Sequence, residues 1–172
     1  SAHPLASMVG AAIMQDGGNA YDAAIAVQFS LAVVFPGAGN IGGGGFMLSR
    51  SAKGVLLGLD YREAAPAKAH RDMYLDSDGN PIAGMSRDAT PASGVPGSVA
   101  GMFSLLQYAK LPMAQLIEPA IELAEFGYVI TEKEAKGLNN TRTQFIKNSS
   151  SICAFTAKEK WNSGDTLIQM DL

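Results

Sequence analysis

Residues 23–35 constrain this chain most. The run is apolar on nearly every side and is interrupted only by Gln28 and Ser30. A helix of that kind is covered on several sides, so the remaining elements must assemble around it. It is shorter than the ~20 apolar residues that span a bilayer. No Lys or Arg precedes it, so it does not read as a signal peptide. Asn19 is placed to cap the helix, and Asp22, three residues on, favours its N-terminus. Pro36 stops it.

An earlier helix is opened by Pro4 and stopped by Gly17 and Gly18, with Leu5, Met8, Val9, Ala12 and Ile13 on one face. After Pro36 comes a glycine-rich loop, then strands over 46–50 and 55–61 joined by a turn at Gly54. Leu57, Leu59 and Tyr61 share one face of the second strand. Residues 63–90 are expected to be irregular. Pro96 and Gly97 open a helix carrying Met102, Phe103, Leu106 and Tyr108. Another helix starts at Pro112, with Leu116, Ala120, Leu123 and Ala124 as its apolar face. Pro119 is expected to kink or split it, and Gly127 to end it. Thr131 and Glu134 form a capping box for a further helix, and residues 166–170 read as a short strand. Helices thus precede and follow a hairpin. That order predicts an α/β protein of the α+β type, with helices layered on antiparallel sheet, and argues against a doubly wound parallel one.

At 47% hydrophobic and 17% charged residues, the 172-residue chain can bury a core and is not disordered. A net charge of −3 leaves no electrostatic footprint for nucleic acid. The lone Cys153 allows no internal disulfide, and His3 and His70 are too few for a metal site. Gly37, Gly39 and Gly42 match a dinucleotide fingerprint by letter, but a helix precedes the loop and a strand follows, the reverse of what that motif requires. The run Gly42, Gly43, Gly44, Gly45 suits either the wall of a substrate pocket or a tight crossing of backbone. Spacing favours the crossing. Arg62, beside Asp60 and Glu63, can grip a carboxylate through two parallel hydrogen bonds or pair with its neighbours. From spacing alone the ion pair is the stronger reading. Ser1 is considered as an N-terminal nucleophile, with nothing else in the sequence to support it. Asn139-Asn140-Thr141 and Asn148-Ser149-Ser150 fit a glycosylation pattern too short to carry weight.

Several blocks, in order, resemble one family. They are His3-Pro4-Leu5-Ala6-Ser7, Gly17-Gly18-Asn19-Ala20-Tyr21-Asp22-Ala23-Ala24-Ile25-Ala26, Gly39-Asn40-Ile41-Gly42-Gly43-Gly44-Gly45-Phe46-Met47-Leu48, Leu59-Asp60-Tyr61-Arg62-Glu63-Ala64-Ala65-Pro66, Val95-Pro96-Gly97-Ser98-Val99-Ala100-Gly101 and Pro119-Ala120-Ile121-Glu122-Leu123-Ala124. Together they are similar to the start of the γ-glutamyltransferase (glutathione hydrolase) large subunit.

The resemblance implies the αββα sandwich of N-terminal-nucleophile hydrolases, with residues 1–172 as an N-terminal segment supplying several helices and part of the sheet, not a complete catalytic domain. It implies an enzyme that transfers or hydrolyses γ-glutamyl groups, glutathione among them, through an acyl-enzyme. The nucleophile is then the N-terminal Thr of a small subunit cut from the same precursor. Water, an amino acid or a dipeptide is the acceptor, and no cofactor is needed. None of Thr90, Thr131, Thr141, Thr143, Thr156 or Thr166 lies in the nucleophile's context. The resemblance places the substrate α-carboxylate on Arg62, with Asp60 and Glu63 as its orienters. It also implies a periplasmic or extracellular setting. A cephalosporin or glutaryl acylase, a capsule transpeptidase, or a truncated non-catalytic homologue are the alternatives.

Overall fold

The computed structural model describes residues 1–149 and 151–172, so the motif ending at Ser150 lies partly outside the described residues. The chain forms two compact units. One is Ser1–Gly39 with Tyr108–Leu172, and the other is Asn40–Gln107.

The first unit is built on two helices, α1 (Pro4–Gln15) and α2 (Ala20–Val34). His3 caps α1, its Nδ1 accepting the Leu5 N–H at 3.2 Å, while its Nε2 meets Glu134 Oε1 at 3.0 Å. The buried residues of α1 are Ala6, Gly10 and Ile13; of the face expected, Ile13 is buried and Leu5 and Val9 are half-buried, while Met8 is 66% exposed. Close packing explains the burial of small residues, because Val27 of α2 lies where a side chain on Gly10 would begin. Small residues let the two axes approach.

α2 carries the capping box read from sequence. Asn19 Oδ1 accepts the Tyr21 N–H at 2.7 Å, and Asp22 Oδ2 accepts the Asn19 N–H at 2.7 Å. Asp22 does more than cap. It is fully buried, and its two oxygens also take the backbone N–H groups of Lys110 at 3.0 Å and Leu111 at 2.9 Å. The Asn19 amide donates to the Tyr108 carbonyl at 2.8 Å, and the Tyr21 and Tyr108 rings stack with centroids 5.0 Å apart.

From that anchored point α5 (Met113–Glu125) packs against α2. Pro119 neither splits nor ends it, and the helix runs through with Leu116, Ala120 and Ala124 buried. Gly127, at φ 76°, turns the chain into β3 (Tyr128–Val129), which pairs antiparallel with β4 (Thr166–Leu167). Between them α6 (Glu132–Asn148) starts from the expected capping box of Thr131 and Glu134. Its Asn139 side chain is committed to the backbone of the buried Trp161, donating to the carbonyl at 2.8 Å and accepting the N–H at 2.9 Å. The Asn139 amide is therefore engaged in folding and unsuited to carry a glycan. The core of this unit centres on Ile25, Val34, Leu116, Ile130 and Leu167.

The second unit holds the hairpin. β1 (Phe46–Arg50) and β2 (Leu56–Asp60) pair antiparallel, with Met47 opposite Leu59 and Ser49 opposite Leu57. Gly54, at φ 82°, makes the turn. One face, with Met47, Leu57 and Leu59, is half-buried. The other leaves Phe46, Leu48 and Leu56 exposed at 63%, 89% and 76%. Residues after the hairpin are mostly irregular, with only the one-turn α3 (Met85–Asp88) and a 3-10 turn at Thr90–Ala92. α4 (Ser98–Leu105) follows, and its buried residues are Ser98, Gly101, Met102 and Leu105, while Phe103 is 56% exposed. The mix of helices and antiparallel sheet expected from element order is present as helices with two two-stranded antiparallel sheets among the described residues.

Burial on its own would raise the Asp22 carboxyl, but the N–H groups of Asn19, Leu111 and Lys110 outweigh it and hold the pKa below the ordinary value. A depressed carboxylate contributes stability that is present above its unfolded pKa of ~3.9 and lost as pH falls through the folded value. Asp22→Ala is expected to lower stability by roughly 2–3 kcal/mol, since it leaves several part-buried N–H groups without an acceptor. In urea denaturation followed by circular dichroism, the difference from wild type should shrink below about pH 3.9. Trp161 is the sole tryptophan and reports on its own pocket. Asn139→Ala should red-shift its emission and cost about 1–2 kcal/mol, and an unshifted spectrum would show that the clip is dispensable.

Candidate functional site

The candidate site lies where β2 ends. Tyr61 extends the hairpin by one pair, exchanging backbone hydrogen bonds with Gly45 at 3.0 and 3.4 Å. Ala64 pairs in the same way with Val95, at 3.1 and 2.8 Å. Arg62 and Glu63 are thus held between two fixed backbone pairs. Asp60 Oδ1 accepts the Arg62 N–H at 2.9 Å, which fixes the backbone direction at the arginine.

The Arg62 guanidinium is exposed and makes no ion pair among the described residues. Neither Asp60 nor Glu63 engages it. Asp60 acts on the Arg62 main chain, and the Glu63 side chain lies beside Gly94. The local ion pair that spacing favoured is therefore not formed. A planar fork with all its donors available suits bidentate binding of a carboxylate.

The glycine loop explains how this segment is held. The Gly43 carbonyl accepts the N–H groups of Gly97 at 2.8 Å and Ser98 at 3.0 Å, capping the start of α4. Gly44 and Gly97 both lie directly against the backbone of residues 61–63. The loop is a crossing of backbones, and at Gly43 its carbonyl, not a free N–H, is turned to the neighbouring segment. Gly94, Gly97 and Gly101, which complete the crossing, were not read from sequence as part of it. Their signal was the recurrence of glycine at close spacing around Pro96.

Other candidates are accounted for differently. The Ser1 amine donates to Ser7 Oγ at 2.8 Å, and its hydroxyl to the His3 carbonyl at 3.1 Å. Thr131 caps α6, Thr141 donates to the Gly137 carbonyl at 3.0 Å, and Thr156 to the Cys153 carbonyl at 3.1 Å. A cavity of about 490 Å³ in the first unit is lined by His3, Phe35, Tyr128, Glu134, Phe145 and Phe155 among others, and by none of Asp60, Arg62 or Glu63. Burial, and then the Glu134 charge, push the Tyr128 hydroxyl far above its ordinary pKa, so it stays neutral there. Among the described residues, no cluster of His, Cys, Asp or Glu could hold a metal ion. Among the described residues, no helix is long and apolar enough to cross a membrane.

Comparison with known proteins identifies the family. The family model described as gamma-glutamyltranspeptidase matches residues 6–172. The glutathione hydrolase proenzyme of Escherichia coli (strain K12) is 44% identical over 170 residues, which are 97% of this chain and 29% of that protein. The crystal structure of Helicobacter pylori gamma-glutamyltranspeptidase superposes with a TM-score of 0.94 at 48% identity, covering 99% of this chain and 50% of that one. The Bacillus anthracis transpeptidase CapD gives a TM-score of 0.77 at 35% identity, over 99% of this chain and 53% of its own. The chain therefore spans about half, or less, of the relatives it matches. With the family model covering nearly all of its residues, the chain belongs to the gamma-glutamyltranspeptidase family.

Proposed function

We propose that this chain is the N-terminal segment of the large subunit of an enzyme that transfers and hydrolyses γ-glutamyl groups, and that Arg62 binds the α-carboxylate of the glutamyl substrate. The observation that carries the reading is the exposed guanidinium of Arg62. It lacks an internal partner among the described residues and rises from backbone pinned on both sides by the pairs Tyr61–Gly45 and Ala64–Val95. A fork that its own protein leaves unpaired is available for a ligand's charge, and one on fixed backbone can dictate which end of the substrate enters first.

The remaining chemistry belongs to a partner. The relatives are proenzymes by name, which supports a precursor that yields a second subunit. On this reading the N-terminal Thr of that subunit attacks the γ-carbonyl, its own amine taking the hydroxyl proton. Backbone N–H groups stabilise the oxyanion, and the leaving amine departs. Water then releases glutamate, or an amino acid or dipeptide accepts the γ-glutamyl group. Glutathione is the substrate this favours, and the setting is periplasmic or extracellular. The greater likeness to the H. pylori enzyme than to CapD, in both identity and superposition, favours γ-glutamyl amides over a capsule polymer.

Arg62→Lys keeps the charge but loses the fork. In the full-length protein it is expected to raise KM for a γ-glutamyl anilide by roughly tenfold or more, as loss of a charge-assisted hydrogen bond implies. An unchanged KM would remove Arg62 from the site. The 172-residue chain alone is expected to release no product from the same substrate, because no residue in it supplies the nucleophile. Turnover by the isolated chain would overturn the two-subunit reading.

A further inference from the structure

The glycines that close on the Arg62 segment are not there for backbone conformation. Gly44 and Gly97 are absent from the residues with positive φ, and Gly97 sits at φ −113°. Any residue could adopt that geometry, so what selects glycine is space. A methyl at Gly44 would fall 2.6 Å from the Tyr61 carbonyl oxygen, 2.7 Å from the Glu63 nitrogen and 2.8 Å from the Arg62 Cα. A methyl at Gly97 would land on the Tyr61 carbonyl oxygen, with the carbonyl carbon at 2.8 Å and the Arg62 oxygen at 3.2 Å. These obstacles are main chain and not the far ends of flexible side chains. Accommodating the methyl means moving residues 61–63.

We propose that Gly44 and Gly97 are positioning residues for Arg62. By lacking side chains they let two segments, distant in sequence, close onto the backbone of residues 61–63 and set the point from which the guanidinium reaches. The inference rests on the assignment of Arg62 to the substrate carboxylate. Asp60 completes the clasp by holding the Arg62 N–H. The effect is preorganisation. An exposed arginine on a loose loop would give up much freedom on binding, whereas this one starts from a fixed root. Displacing that root by an ångström is the kind of error that costs up to ~100-fold in an active site.

A double-mutant cycle in the full-length protein tests this, with a γ-glutamyl anilide as substrate and Gly44→Ala, Arg62→Ala and the double variant as its corners. Gly44→Ala is expected to raise KM roughly tenfold, within the range that misplacement produces. The double variant should bind no worse than Arg62→Ala alone, because once the guanidinium is gone its position no longer matters. Independent effects, with the double variant losing the product of both, would overturn the proposal and leave Gly44 a purely structural residue. Arg62→Ala with wild-type KM would instead overturn the assignment on which the proposal stands. Should Gly44→Ala fail to fold, Gly94→Ala enters the same cycle. Its methyl meets the Glu63 Cβ at 3.0 Å, a milder conflict, with an expected rise of about threefold, below the ~100-fold reach of a full ångström's displacement.

Discussion

Asp22 is the interaction on which the first unit depends. A fully buried carboxylate is costly unless it is richly hydrogen-bonded, and here both oxygens are saturated by backbone N–H groups from Asn19, Lys110 and Leu111. One side chain thereby ends one problem and begins another. It satisfies the donors at the start of α2, and it fixes the place where the chain returns after residues 40–107. From that place α5 lies down against α2. Without it, α1 would still pack on the apolar run 23–35, but the face that α5 covers would have no fixed neighbour.

Local chemistry was legible in the sequence, and contact between distant segments was not. Asn19 with Asp22 and Thr131 with Glu134 were readable as caps because the partners sit three residues apart, and both boxes form. The hairpin turn at Gly54 and the helix stop at Gly127 were readable because each sits where a left-handed residue is required. The burial of small residues on α1 was not, since periodicity favours the largest apolar residues and cannot know that α2 approaches closely enough to prefer Ala6 and Gly10. The split expected at Pro119 is absent for a related reason. The cost of a proline inside a helix is offset when packing holds both halves, as Leu116 and Ala120 do on either side of it.

The site divides along the same line. Arg62 could be named from its block, yet its chemistry could not be decided there, because an ion pair and a ligand clamp share the same letters. Structure separates them by showing Asp60 spent on the Arg62 main chain and the guanidinium left outward. The glycines around it were visible as residues but not as a clasp. Gly44 and Gly97 both meet Tyr61 and Arg62 from positions far apart in the chain, and no spacing rule links them.

The manner in which the chain leaves and re-enters the first unit bears on how such a protein can vary. Gly39 lies against the backbone at Leu31, and Tyr108 stacks on Tyr21. Exit and return are thus both fastened to α2, about ten residues apart, roughly 15 Å along its axis at ~1.5 Å per residue. With both ends moored to one rigid rod, everything between them is topologically an excursion. Lengthening an excursion costs little in chain entropy, only ~0.6 kcal/mol for each doubling. The irregular stretch that follows the hairpin is accordingly where this scaffold can lose or gain residues while α2 and its partners keep their places.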